Sequence, residues 1–214
     1  MTRKPGLTQM ASANAHHRPK AEPQRPERFL EERRRVHFLR YSHIFASVVR
    51  EILEVKFLEE ITPHFLTPAQ FHLLKVMALN GGHQVSEVAL FLGVSTPAAT
   101  KSLDKLERLG LILRGPSKDD RRATLITPTA KGRRLVQEYE VLLADRLAPV
   151  LQKFSPKELD QLVRIMKRFS LSMIRREDSG DGPCLWCAAY CEENCPVGQI
   201  RGDCPCTNLC GVSE

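Results

Sequence analysis

The chain has 214 residues, 42% hydrophobic and 27% charged, enough apolar material for one buried core with extensions. Its net charge of +7 is unevenly spread: the residues from Glu177 onward carry −6, leaving +13 on residues 1–176, a balance that points to a polyanionic partner for the body. No run approaches the roughly 18 apolar residues of a membrane helix, and the first residues lack the apolar stretch of a secretory signal, so a cytoplasmic protein with no membrane partner is expected.

Residues 1–26 are rich in Pro, Ala, His and Lys without periodicity and are expected to form a disordered basic arm. A globular body over 27–176 follows. From Glu27 to Glu60 the apolar positions Phe29, Leu30, Val36, Leu39, Ile44, Val48, Ile52 and Leu58 predict a long helical stripe. Thr67 and Gln70 form a capping box with Pro68 at the first helical position, and Gly81 and Gly82 end that helix. Ser86 is expected to cap a short helix stopped by Gly93. Ser95 or Thr96 then caps another helix. Its Ala99, Leu103 and Leu106 share one face, and Gly110 closes it.

The stretch "LILRGPSKDDRRATLIT" predicts two short strands around a charged Gly-Pro turn. Thr129 opens a long helix that Pro149 is expected to kink or break near its end. Ser155 and Glu158 cap a last helix, with Leu159, Leu162, Val163, Met166, Phe169 and Met173 on one side. Residues 177–183 are a linker, and 184–214 hold all seven cysteines. The fold class is mainly α, an α+β winged helix with a short metal-stabilised C-terminal segment.

Two short helices around "GVS", then a β-hairpin, have the order of a winged helix-turn-helix. The second helix would enter the major groove of double-stranded DNA with its first turns at the base edges. Ala98 and Ala99 permit close approach. Ser95, Thr96, Thr100, Lys101 and Ser102 offer hydroxyl and ammonium contacts, and Lys105 and Arg108 reach toward phosphates. Arg114, Lys118, Arg121 and Arg122 place cations on the hairpin, where phosphate contacts supply most of the affinity.

The sequence resembles the MarR (multiple antibiotic resistance regulator) family over roughly residues 30–175. The stretches that carry the resemblance are Leu92–Ser95, Leu106–Leu111, Asp120–Arg122 and Ile126–Gly132. It implies that Asp120 supports the wing by orienting Arg122, and that Arg121 and Arg122 contact the minor groove. Pro97 with two alanines departs from the polar residues common there. The resemblance also implies a homodimer in which the first and last helices of each chain intertwine, so that two heads meet a pseudo-palindromic operator. A pocket between the helices, near which His37, His43, His64, His72 and His83 fall, would admit a small-molecule ligand; ordinary polar or capping histidines are the plainer account of these five.

The cysteines run C-x2-C-x3-C-x3-C-P, then C-x-C-x3-C after eight residues. No histidine lies after His83, so ligation within the tail would be all-thiolate, which suits an iron–sulfur cluster or zinc. The first block resembles a bacterial ferredoxin run with one inserted residue. The candidate ligands are Cys184, Cys187, Cys191, Cys195, Cys204, Cys206 and Cys210. Cys187, Cys191 and Cys195 would share a face if helical, and Leu185, Trp186, Tyr190, Val197, Ile200 and Leu209 would form an apolar cover. Only Cys184 and Cys187 have the knuckle spacing of structural zinc, and a reducing compartment with an odd thiol count argues against disulfides. An iron–sulfur cluster is expected, 4Fe-4S ahead of 2Fe-2S, with zinc and a thiol switch as alternatives.

No Ser-His-Asp triad, phosphate loop or paired-carboxylate site is visible, so an enzyme is not expected. The reading is a dimeric regulator, a repressor by default, whose DNA affinity follows the cluster and with it redox, oxygen or iron–sulfur status. The alternatives are a small-ligand-responsive regulator with a zinc or thiol-redox tail, and an electron-transfer or thiol-redox protein on a winged-helix scaffold.

Overall fold

The structure is a computed structural model that describes residues 25–116, 124–177, 187–190 and 195–201. The chain divides into two compact units, residues 1–45 and 46–214. The first holds most of helix α1 (Arg25–Ser47). Between Leu30 and Phe45 every side chain except Ser42 is exposed, Val36, Phe38, Leu39 and Ile44 included.

Residues 27–60 are not one uniform helix. After α1 come nine π-helical residues, Val48–Lys56, then a short α2 (Phe57–Ile61). The Phe57 N–H donates to the Ile52 carbonyl, five residues back, so the helical path continues with a wider turn. Apolar periodicity registers the shared face of these turns and is blind to the change of hydrogen-bond step.

Helix α3 (Pro68–Asn80) starts where its capping box places it. Thr67 Oγ1 accepts from the Gln70 N–H at 3.2 Å, and Gln70 Oε1 accepts from the Thr67 N–H at 3.1 Å. Leu73, Leu74, Val76 and Met77 are all fully buried, so α3 is apolar nearly all round and runs through the core. Gly81, at φ +88°, ends it in a conformation that only glycine adopts freely.

A two-residue strand β1 (His83–Gln84) follows, too short to carry any alternation in the sequence. It leads straight into α4 (Val85–Leu92), so the capping residue is Gln84 and not Ser86. Glu87 closes the box by accepting from the Gln84 N–H at 2.7 Å, while Ser86 already lies in the first turn. Gly93 ends α4 in the left-handed region, and α5 (Thr96–Arg108) begins after Ser95, which caps by position with no side-chain bond. Strands β2 (Ile112–Pro116) and β3 (Thr124–Pro128) pair antiparallel, Arg114 opposite Ile126. β1 adds to β3, giving the order β1-β3-β2.

Helix α6 (Ala130–Leu151) opens on Thr129, whose Oγ1 accepts from the Gly132 N–H at 3.0 Å. Pro149 does not break it; the helix runs on to Leu151. Helix α7 (Pro156–Glu177) is capped by Ser155 and Glu158, and Ile174 is the one buried residue among its described side chains. A short α8 (Pro196–Arg201) packs against α7. Among the described residues no helix is long and apolar enough to cross a membrane.

The core joins Leu58, Leu74, Met77, Leu103, Leu106 and Ile126, contributed by α2, α3, α5 and β3. It therefore sits under the helix-turn-helix and fixes α5 from its inner face.

Candidate nucleic-acid interface

Helix α5 is split by its own pattern. Ala99, Leu103 and Leu106 are fully buried, and these three anchors turn the remaining faces outward. Ser95, Thr96, Pro97, Ala98 and Lys101 are exposed at the N-terminal end, and Arg108 at the other. Ser102 is half-buried. Thr100 is also half-buried, and its hydroxyl donates to the Thr96 carbonyl at 2.9 Å, an intrahelical bond that leaves its methyl group outermost. The surface of the first turns is thus small, with one ammonium and two hydroxyls, and fits close against the floor of a groove.

Three of the expected cations are engaged within the protein, Arg108 by donating its Nε–H to the Asp104 carbonyl at 3.3 Å. Lys105 Nζ lies 5.0 Å from the centre of the Phe65 ring, and Phe65 itself is 68% exposed. Phe65, from the loop before α3, was not marked by any sequence pattern. Arg114, on β2, turns its guanidinium back to α5. It meets Asp104 and Glu107 at 2.7 Å each, and its second amino group donates to the Thr100 carbonyl at 3.4 Å. Arg114 is therefore a strut between wing strand and recognition helix. The acidic positions of "LDKLER" are its acceptors, a pairing across seven to ten residues that local spacing cannot reveal. Lys118, Asp120, Arg121 and Arg122 lie outside the described residues.

The base of the wing is locked to α6. The Thr129 N–H donates to the Leu111 carbonyl at 3.0 Å, its hydroxyl to the Gly110 carbonyl at 2.7 Å, and Lys131 Nζ to the Leu109 carbonyl at 2.8 Å. A Cβ at Gly132 would collide with the Leu111 carbonyl, so the glycine of the Ile126–Gly132 stretch is needed for close approach. These bonds tie the end of α5 and the base of the wing to the start of α6.

A cleft of about 200 Å³ opens between α3, α6 and the π-helical turns. Lys75, only 5% exposed, pairs with Glu140 at 2.7 Å across its wall. Burial, with the Lys75 charge added, pushes His72 down to about 4, so its imidazole is neutral near neutral pH. Burial also raises Glu54, whose carboxylate lies 3.7 Å from His72. The Tyr139 ring packs on Phe71 with centroids 4.5 Å apart and planes tilted by 55°, and its hydroxyl donates to the Leu53 carbonyl. Of the expected histidines, His72 lines this cleft and His83 is buried edge-on to Phe91 at 5.2 Å, while His37, His43 and His64 are exposed.

Two candidate ligands fall within the described residues. Cys195 is buried, and Cys187 is half-buried. Cys184, Cys191, Cys204, Cys206 and Cys210 lie outside them. The helical face expected for Cys187, Cys191 and Cys195 does not begin at Cys187. Instead the Tyr190 N–H donates to the Cys187 carbonyl at 2.9 Å, and Ala188 and Ala189 have φ of +50° and +60°, a tight turn. The Tyr190 ring lies on Lys75, with Nζ 3.1 Å from the ring centre. Among the described residues no three His, Cys, Asp or Glu side chains are placed to hold a metal.

The family model of the MarR family matches residues 66–124, the span from α3 through the wing. Solved structures share the fold. A MarR family transcription regulator, SP03579, is 16% identical and aligns over 69% of this chain and 97% of its own, with a TM-score of 0.57. The YusO protein of Bacillus subtilis is 24% identical over 65% of this chain and 96% of its own, with a TM-score of 0.53. MepR, a transcription regulator of the Staphylococcus aureus multidrug efflux pump MepA, is 22% identical over 62% of this chain and 98% of its own, with a TM-score of 0.50. With the Leu92–Ser95 turn, the α5 anchors and the Thr129–Gly132 lock in place, the winged-helix head of this chain is similar to that of the MarR family over the matched residues 66–124.

Proposed function

We propose that the protein is a homodimeric transcription regulator that binds a pseudo-palindromic site on double-stranded DNA, and that its C-terminal cysteines hold an iron–sulfur cluster whose state sets the DNA affinity. The observation that carries the DNA reading is α5. It is anchored by three buried side chains, braced through Arg114 to the wing, and presents a small exposed first turn with Lys101 beside it. Phosphate contacts from Lys101, Arg108 and the wing cations Lys118, Arg121 and Arg122 supply affinity. Thr96, Ala98 and the Thr100 methyl group face the base edges.

The homodimer rests on α1 and α7. Both leave large apolar side chains exposed, Val163 at 62% and Leu162 at 48% among them, far more than a lone helix surface keeps in water. The cluster rests on donor chemistry. The tail provides thiolates and no histidine, with Cys187 and Cys195 completed by cysteines outside the described residues. When bound, the cluster supplies a redox-sensitive cross-link that orders a segment too small to fold alone. Localisation in the cytoplasm and repression of target genes complete this reading.

The first test is an anaerobic visible spectrum with iron, sulfide and zinc assays on fresh protein. It is followed by binding to DNA sites selected from a random pool, with and without the cluster. Near-stoichiometric iron and sulfide, with at least a tenfold difference in affinity between the two forms, is the expected result. Equal affinities would confine the cluster to a structural role, and colourless protein with zinc alone would replace it.

The cleft favours a second reading, a regulator that responds to a small, largely apolar ligand. Its walls place the Phe71 and Tyr139 rings beside His72 and Lys75.

A further inference from the structure

We propose that the chain's own C-terminal segment, which forms one wall of the cleft between α3 and α6 through Ala188 and Tyr190, carries the state of the cysteines to the DNA-binding head, with the Tyr190 ring seated on Lys75 as the contact. This rests on the regulator reading above and adds the place where tail and head meet.

Three observations support it. Lys75 is buried, and its ammonium is sandwiched between the Glu140 carboxylate at 2.7 Å and the Tyr190 ring at 3.1 Å. A cation held on an aromatic face away from water is worth more than the same contact at an open surface, so Tyr190 is a specific partner rather than a loose cover. Second, Ala188 and Ala189 both adopt the left-handed conformation, which is disfavoured for an L-residue. Such a turn persists where packing offsets it, and Ala189 is 1% exposed and belongs to the main core. Third, Tyr190 sits between Cys187 and Cys191 in sequence, and the turn that aims its ring is closed by the Cys187 carbonyl.

The cleft also has a direct line to DNA. Phe71, His72 and Lys75 lie on α3, whose other faces pack on α4, β3 and α6. Drawing Cys187 and Cys191 around a metal, or releasing them, changes the turn and hence the seat of Tyr190. An α3 that holds Tyr190 and one that has lost it are two packings of the same head, which is what a switch requires.

The test uses the full chain in two measurements. In the first, metal-free and reduced, the alkylation rate of Cys187 and the hydrogen exchange of residues 187–190 are compared among wild type, Tyr190→Phe, Tyr190→Leu and Tyr190→Ala. Tyr190 is 50% exposed, so none of these variants threatens the core. Tyr190→Phe should match wild type, while Tyr190→Leu and Tyr190→Ala should each expose the segment about tenfold, because they lack the ring face. In the second, selected DNA sites are bound with the cysteines loaded and unloaded. Tyr190→Ala should bind DNA equally in both states, whereas wild type does not. Unchanged protection in Tyr190→Ala would overturn the docking. Increased exposure with the wild-type difference in affinity intact would overturn its role in coupling. A wild type that binds no DNA would sink the regulator reading while the first measurement still decides the docking.

Discussion

The winged-helix head and the long helices use the same amino acids to opposite ends. In the head, α3 and α5 bury their apolar residues in one core, and Leu73, Leu74, Leu103 and Leu106 are fully out of water. In α7 the stripe of Leu162, Val163, Met166, Phe169 and Met173 has equal periodicity and stays 37–62% exposed. A periodic stripe states that a face will be covered and says nothing about which chain covers it. Among the described residues the head covers its own apolar face, and α7 does not.

The sharpest way to break this contrast is to charge the exposed stripe. Val163→Glu with Met166→Glu should leave the helical content of the head intact and convert the proposed dimer to monomer in light scattering. DNA affinity should fall about a hundredfold or more, since one half-site is lost with the partner. A double variant that stays dimeric would move the association surface elsewhere. The matching change in the head is Leu103→Ala. It should cost about 2–5 kcal/mol in denaturant unfolding, because it leaves a cavity in a site with no access to water.

A smaller effect sharpens the comparison at the cleft. His72 has its pKa lowered to about 4 in the folded protein, against about 6.5 unfolded. Between these values the unfolded chain binds a proton that the folded chain refuses, so stability falls as pH drops from about 6.5 to 4. The contribution is at most about 3 kcal/mol below pH 4 and vanishes above about pH 6.5. His72→Gln should flatten this part of the stability-against-pH curve relative to wild type. An unchanged curve would mean that His72 is not held neutral by burial.

Local chemistry made much of the head legible. Thr67 with Gln70, Ser155 with Glu158, and Thr129 each place a helix start, because a cap is satisfied within three residues. Ser86 failed as a cap because β1 delivers the chain to α4 from Gln84, and a two-residue strand exists only through its pairing with β3. Pro149 lies within α6, which runs past it and stops two residues later at Leu151.

The interface follows the same division. The anchors of α5 and its exposed Thr96 and Lys101 are readable from a period of 3.6. The strut from Arg114 to Asp104 and Glu107 requires β2 to fold back beside α5, so only the assembled head turns that cation inward. Tyr190 makes the point most fully. Its neighbours in sequence are thiols, and its partner, Lys75, is more than a hundred residues away. The sequence by itself determined the helix starts, the two-strand wing, the basic face of α5 and the all-thiolate chemistry of the tail, since each depends on residues within one or two turns. Tertiary structure alone decided which cations brace the protein, which helix faces stay uncovered, and where Tyr190 comes to rest, because contacts between distant segments follow from packing and leave no periodic trace in the chain.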